Sequence, residues 1–313
     1  MIRLPDGSMI VGLVGCVADV LGVSPGFLYF LSNHIGENYK ITKIPKKNGK
    51  FRTIEAPSER LKYVQSQILE RILPKEVSVI ATAFETGKGL LDNVEMHTSR
   101  KVVLALDLKD FFPSFRFPAV ESLFEKLGFS RQTAVLLAKI CTLNGHLPQG
   151  APTSPHLANL LMTDFDMQLS DLCRRMKLRV SRYADDITIS GDLDPMKIEF
   201  LIRTCRESLR RKGHRINYRK VRILRRNARQ EVTGIVVNER PSVPRNIRRE
   251  LRQRMYYLRH YGLIGHEPIT RQGLQSLLGR VGFVNYIDPG NVEFRQYAEQ
   301  LKRCLKERIW WGT

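Results

Sequence analysis

The chain has 313 residues, 42% hydrophobic and 26% charged, which is enough apolar material for one to three packed subdomains. No long acidic or Ser/Gly/Pro-rich tract breaks it, so extended disorder is excluded away from the ends. Lys and Arg number 51 against 31 Asp and Glu, giving a net charge of +20 and a pI near 10.0; this favours a polyanionic partner, nucleic acid ahead of an anionic membrane, over a small neutral substrate.

The charge is concentrated. Residues 201–260 hold 19 Lys and Arg against 4 Asp and Glu, +15 of the total +20. The five cysteines (Cys16, Cys141, Cys173, Cys205, Cys304) are scattered, with no Cys-x-x-Cys and no paired His. They fit reduced thiols and exclude a zinc site or disulfide frame. The apolar stretch from Met9 to Val20 contains Asp19, is followed by Pro25 and is too short to span a bilayer, so a cytoplasmic protein without a membrane partner is expected.

In chain order, residues 9–35 read as one or two short helices, with Ser24-Pro25 as an N-cap and first-turn pair. Tyr39 to Pro45 and Phe51 to Glu55 alternate around Asn48-Gly49, the signature of a hairpin. Leu61, Val64, Ile68 and Ile72 mark a helix over 58–73, and the unbroken apolar run Val102 to Leu106 a buried strand. Residues 117–142 read as two helices and Ala151 to Cys173 as a long one. A second hairpin runs from Leu178 through Ala184-Asp185-Asp186 to Ser190.

Pro195 to Lys212 is expected to be helical, with Phe200, Leu201, Cys205 and Leu209 on its apolar face. Strands near 216–223 and 232–237 would complete a sheet. After Pro241 and Pro244 the chain reads as wholly helical, with Ile247, Leu251, Met255 and Leu258 as a stripe among Arg248, Arg249, Arg252 and Arg254. The fold class is α+β.

Adjacent carboxylates at a turn repel each other, and turn preference explains one aspartate better than two. A divalent cation removes the repulsion, and Mg²⁺ takes hard carboxylate oxygens together with substrate phosphates. Asp107, at the end of the buried run, qualifies as a third ligand beside Asp185 and Asp186. Two Mg²⁺ ions held there would suit in-line nucleotidyl transfer, so the three aspartates are both the catalytic and the metal-ligating candidates.

Three ordered segments carry a family resemblance: Leu106-Asp-Leu-Lys-Asp-Phe-Phe-Pro-Ser-Phe115, Leu147-Pro-Gln-Gly-Ala-Pro-Thr-Ser-Pro155 and Tyr183-Ala-Asp-Asp186. Together they resemble the palm motifs of reverse transcriptases. That resemblance implies a right-hand polymerase fold: N-terminal helices and fingers over 1–99, a palm of antiparallel sheet with helices over 100–240, and an RNA-binding helical thumb over 241–313. It makes Phe112 the steric gate that selects dNTPs. Asp110, Phe111, Gln149 and Gly150 stand beside the nucleotide, with Lys46, Lys47 and Arg52 on its triphosphate and Lys220 as a general acid for pyrophosphate.

Two further segments, Gly87 to His97 containing Asn93, and Val232-Thr233-Gly234, resemble motifs of retron reverse transcriptases, with Val94 where that pattern has Ala. The retron resemblance implies a noncoding RNA as template and primer. Priming would come from the 2′-hydroxyl of an internal guanosine, yielding a branched RNA–DNA product, multicopy single-stranded DNA. A separate effector protein in antiphage defence would be a partner. Asn93, His97, Arg248, Arg249, Arg252, Arg254 and Tyr257 are the expected RNA contacts, with Tyr256 and His260 as further stacking surfaces. No acidic cluster for RNase H and no maturase or endonuclease extension is legible. The rivals are an abortive-infection type of enzyme making DNA without a template, a group II intron relative, an RNA-dependent RNA polymerase, and a non-catalytic RNA-binding scaffold.

Overall fold

The computed structural model describes residues 1–45, 49, 51–264, 267–268 and 270–307. A short pair, β1 (Ile2–Arg3) and β2 (Met9–Ile10), leads into α1 (Val14–Leu21) and α2 (Pro25–Asn33). The start of α2 is set locally: the Ser24 hydroxyl accepts from the Phe27 N–H, and Pro25 occupies the first turn, where a missing N–H costs nothing. β3 (Tyr39–Pro45) and β4 (Phe51–Pro57) pair antiparallel from Tyr39↔Pro57 to Pro45↔Phe51. α3 (Glu59–Arg71), capped by Ser58, buries Leu61, Val64 and Ile68. Among the described residues no single helix is long and apolar enough to cross a membrane; α1 and α2 pass that test only jointly, and they are bent by 96°.

A short helix, α4 (Leu90–Glu95), occupies a segment read from sequence only as a motif. β5 (Val102–Asp107) is followed by α5 (Phe111–Ser114), α6 (Phe117–Lys126), α7 (Arg131–Cys141) and α8 (Ser154–Arg175). α8 begins three residues later than the apolar pattern predicts, because Pro155 is accommodated only in a first turn. β6 (Arg179–Tyr183), β7 (Asp186–Gly191), α9 (Pro195–Arg211) and β8 (Arg222–Arg225) follow. The principal sheet has strand order β6-β7-β5-β8. β6 and β7 are joined by two residues, a connection that only antiparallel neighbours permit.

Three expectations are corrected here. On α9 the buried face is Ile198, Leu201, Cys205 and Leu209, while Phe200 is exposed, since its position falls off the helical stripe. The 232–237 segment does not extend the main sheet: β9 (Glu231–Val232) and β10 (Ile235–Val236) form a separate hairpin turned at Thr233-Gly234. The C-terminal region is not wholly helical either, because a small pair, β11 (Leu263–Ile264) and β12 (Glu267–Pro268), separates α10 (Arg245–Tyr261) from α11 (Arg271–Ile287) and α12 (Val292–Glu307).

The chain divides into two compact units. The first comprises Met1–Gly89, Leu104–Ile189 and Leu193–Arg222. The second comprises Leu90–Val103, Ser190–Asp192 and Ile223–Thr313. The second is built on one apolar core in which Leu251, Met255 and Leu258 of α10 meet Leu277 and Val281 of α11, and Phe294 and Leu301 of α12. The expected stripe Ile247, Leu251, Met255 and Leu258 is that core face, with Ile247 packed at its margin.

Candidate active site

Asp107, Asp185 and Asp186 all lie in the first unit. β5 delivers Asp107 at its last position, and the β6–β7 turn presents Asp185 and Asp186. The Leu108 N–H donates to the Asp185 carbonyl at 3.0 Å, so the end of β5 is tied directly to the turn. Ala184 has φ 55°, and a positive φ at the first loop position is the mark of a II′ hairpin turn, normally a glycine site. The backbone strain, about 1–2 kcal/mol for a residue with a Cβ, is held by what surrounds the turn.

What surrounds it is a buried ion pair that sequence reasoning missed. Arg182, fully buried, donates through Nε and Nη2 to the Asp166 carboxylate at 2.5–3.1 Å. Its Nη1 donates to Asn159 Oδ1 at 2.9 Å and to the Ala184 carbonyl at 3.2 Å. Arg182 is further fixed through its backbone, whose N–H donates to Ile80 and whose carbonyl accepts from Thr82. Asn159 in turn donates to the Ala83 carbonyl and to Glu85. One signal could have found the pair: Asp166 sits in the stripe Met162, Asp166, Leu169, Cys173, a charge at a position where α8 otherwise buries apolar groups.

Electrostatics at the carboxylates are strained as expected for an anionic cluster. Burial raises the pKa of Asp185 above the usual carboxylate range, and Asp107 adds to it. Burial, then Asp185 and Asp107, push Asp186 up to about 6. Asp107 is neutralised from another direction: Lys220 donates to its Oδ2 at 2.5 Å and Asn217 to its Oδ1 at 3.1 Å. The hydrogen bond to Asp107 raises the pKa of Lys220 in return. Among the described residues no three His, Cys, Asp or Glu side chains are already disposed as a metal cage. The donor set is nonetheless one of hard oxygens in a field that favours a divalent cation, and the Lys220 side chain, 60% exposed, can leave Asp107 cheaply.

The nucleotide-side candidates separate by structure. Phe112 is half-buried, with the rings of Phe84 and Phe111 at 6.4 and 5.3 Å. The Phe111 ring is buried edge-on against Phe115. Asp110 is exposed, at φ 49°. Gln149 and Gly150 are clasped to β4: the Glu55 N–H donates to the Gln149 carbonyl at 2.8 Å, and the Gln149 N–H donates to Glu55 Oε2 at 3.1 Å. A Cβ on Gly150, φ 141°, would lie 2.6 Å from the Glu55 carbonyl oxygen. The close approach that demands glycine here is to the protein backbone at Glu55. Arg52 is exposed on the same strand, and its charge is felt at Asp185. Lys46 and Lys47 lie outside the described residues.

The expected RNA contacts fall in the second unit. Asn93 and His97 are buried, a correction to their placement on an RNA surface: Asn93 donates to Thr233 Oγ1 at 3.2 Å, and His97 Nδ1 is 2.7 Å from Ser190 Oγ. Burial lowers the pKa of His97 to about 3, so the ring is neutral. Arg252 is engaged by Glu293 at 2.8–3.0 Å, and Arg254 shares Glu250 with Arg280. Arg249 is exposed and Arg248 half-buried. Tyr257 is half-buried among Tyr256 and Tyr261, of which the latter two are exposed. Trp310 and Trp311 lie outside the described residues.

Residues 44–245 match the family model described as reverse transcriptase (RNA-dependent DNA polymerase). The chain is 36% identical to the retron Mx65 reverse transcriptase of Myxococcus xanthus, over 93% of this chain and 71% of that protein. It is 34% identical to the retron Ec86 reverse transcriptase of Escherichia coli, over 70% of each, and 32% identical to the retron Mx162 enzyme of Myxococcus xanthus, over 87% of this chain and 63% of that protein. Among solved structures, a foamy viral protease-reverse transcriptase in complex with double-stranded DNA aligns at TM-score 0.48 and 17% identity, covering 86% of this chain and 44% of that one.

Proposed function

The chain belongs to the retron reverse transcriptases, which are RNA-directed DNA polymerases with the right-hand α+β fold and a need for divalent metal, and from that premise we propose that it copies a structured noncoding RNA into branched single-stranded DNA. The observation that carries the reading is the junction of β5 with the β6–β7 turn, which gathers Asp107, Asp185 and Asp186 where β5 ends beside the start of β7. Two Mg²⁺ ions on these carboxylates would activate a ribose 2′-hydroxyl of an internal guanosine, and then each new 3′-hydroxyl, while neutralising the leaving pyrophosphate. Fingers span 1–99, the palm 100–240, and the thumb 241–313, with α10–α12.

The residues divide the work by their own chemistry. Burial leaves Asp185 and Asp186 with raised proton affinities, so their mutual repulsion is relieved by taking up cations. Lys220, released from Asp107, can hand its proton to the pyrophosphate. The half-buried Phe112 ring, braced by two neighbouring phenylalanines, fills the space a ribose 2′-hydroxyl would need and so selects dNTPs. Gln149, Gly150 and the backbone at Asp110 and Phe111 cradle the nucleotide, with Arg52, Lys46 and Lys47 on its phosphates. Arg249 and the exposed face around Tyr257 offer charge and stacking to RNA, while Asn93 acts indirectly by holding the Val-Thr-Gly turn through Thr233 and His97 by its bond to Ser190. The product, retained as an RNA–DNA hybrid in the cytoplasm, is suited to restrain a separate effector protein in antiphage defence.

The test is expression with the flanking noncoding DNA, followed by nucleic-acid analysis before and after RNase and debranching enzyme. Expected is a small DNA that changes size on debranching and is absent from an Asp185→Asn/Asp186→Asn variant. DNA lacking a branch would move the reading to template-independent synthesis of the abortive-infection kind. Absence of extension on a supplied primer and RNA template with Mg²⁺ would overturn the polymerase itself.

A further inference from the structure

One cleft in the first unit, about 890 Å³, is separate from the catalytic site: none of Asp107, Asp185 and Asp186 lines it. Its walls come from the segment after β5, from α6, from the middle of α8 and from the end of α9. Lys109, Arg116, Lys126, Arg211 and Arg215 line it, and among the described residues none of these five forms an ion pair. The sixth cation, Lys212, is committed to Asp164 at 3.0 Å. Asp110 is the other carboxylate of the lining. The floor is neutral: Ser114 Oγ lies 2.7 Å from His214 Nδ1, and burial lowers the pKa of that imidazole to about 4.

Like charges gathered around one concavity without counter-ions of their own raise the potential there and call for an anion. The length of the array decides which anion. Arg116 caps the start of α6 and Lys126 ends it, ten residues on, which at about 1.5 Å per residue separates them by about 15 Å. One phosphate or one pyrophosphate cannot serve both ends. A nucleic-acid strand, with one charge per nucleotide, sets several phosphates along that distance. We propose that this cleft is a second nucleic-acid site, which grips the backbone of the RNA outside the segment being copied. The reaction starts with RNA alone, so RNA is the occupant available before any DNA exists. The inference rests on the reading of this chain as an RNA-using polymerase and extends it to a surface that takes no part in the chemistry.

The test uses the full chain with Arg116→Gln, Lys126→Gln and Arg211→Gln combined, and a matched control with Arg175→Gln, Lys177→Gln and Arg179→Gln, exposed cations that do not line the cleft. The probe is a fluorescein-labelled RNA hairpin titrated over a salt series. With three phosphates no longer neutralised, the slope of log Kobs against log salt should become shallower by about 2–3, and affinity at low salt should fall about ten- to a hundredfold. The control should move the slope by less than about half as much. Extension of a short pre-annealed primer–template should stay within about twofold of wild type, because that substrate occupies only the catalytic cleft. An unchanged slope, or an equal change in the control, overturns the site. A raised KM for dNTP on the short substrate reassigns the cleft to the nucleotide and overturns it too. Equal loss for a single-stranded DNA probe overturns the choice of RNA. Failure of wild type to extend the short substrate would instead count against the polymerase reading, and the hairpin titration would still report on the cleft.

Discussion

The turn between β6 and β7 and the turn between β9 and β10 share a backbone problem, a non-glycine residue at positive φ: Ala184 at 55° and Thr233 at 46°. Their supports have opposite chemistry. The first is held by charge, the buried Arg182–Asp166 pair whose remaining guanidinium nitrogen reaches the Ala184 carbonyl. The second is held by neutral groups, Asn93 on Thr233, with His97 kept uncharged on Ser190 one helical turn along. The first turn presents two carboxylates whose field would pull a flexible loop apart, so it is anchored by an interaction strong enough to resist that. The second presents no charge, and hydrogen bonds of ordinary strength suffice.

The widest gap between the two should appear on removing the charged anchor. Arg182→Met strands the Asp166 carboxylate in the core, at a cost of about 3–5 kcal/mol. A fall in melting temperature on the order of ten degrees is expected by calorimetry. A fall of only a degree or two would mean that Asp166 finds another partner and that the turn is not charge-anchored. Next comes Asn93→Ala, expected to cost about 1–3 kcal/mol by leaving the Thr233 hydroxyl short of a donor. Asn93→Asp, which keeps the size but loses the donor, should cost at least as much in the same measurement.

His97 sharpens the contrast through pH. Its folded pKa, about 3, lies below the unfolded value of about 6.5. The stability it contributes is therefore fully present above about pH 6.5 and is lost as pH falls from there towards 3. Wild type should lose about 1–2 kcal/mol more than His97→Gln between pH 6.5 and 5, read as the difference in urea midpoints. Parallel profiles would show that the imidazole is not held neutral. The smallest effect separates the turns by glycine substitution. Ala184→Gly trades relieved strain against chain entropy and should change stability by less than about 1 kcal/mol. Thr233→Gly also deletes the acceptor of Asn93 and should be net destabilising by about 1 kcal/mol in the same melts.

Most of the framework was legible because its signals are local. Ser24-Pro25, the alternation around Asn48-Gly49 and the apolar run into Asp107 each set an element by near-neighbour physics, and the hairpin carrying Asp185 and Asp186 follows from the same alternation. The supports were not legible, because they are made by residues far apart in sequence. Asn93 meets Thr233 across 140 residues, and Glu55 meets Gln149 across 94. The surroundings of the expected RNA contacts were hidden for the same reason. Asn93 and His97, polar and in a motif, were expected on an RNA surface, yet polar residues are buried wherever a distant partner satisfies them. Arg252 and Arg254 were expected to contact RNA, and only the packing of α12 and α11 shows that Glu293 engages Arg252 and that Arg254 and Arg280 share Glu250.

The Arg182–Asp166 pair also constrains how such a chain can change over time. Neither partner can be exchanged alone without leaving a bare charge in the core, and the deficit of about 3–5 kcal/mol is a large share of the roughly 5–15 kcal/mol that keeps a domain folded. A route from the ionic arrangement to an apolar one, which could be just as stable, therefore crosses an intermediate that most cells would degrade. Random single substitutions should leave positions 166 and 182 almost untouched. Libraries meant to reshape the polymerase would have to vary both codons at once to reach sequences on the far side.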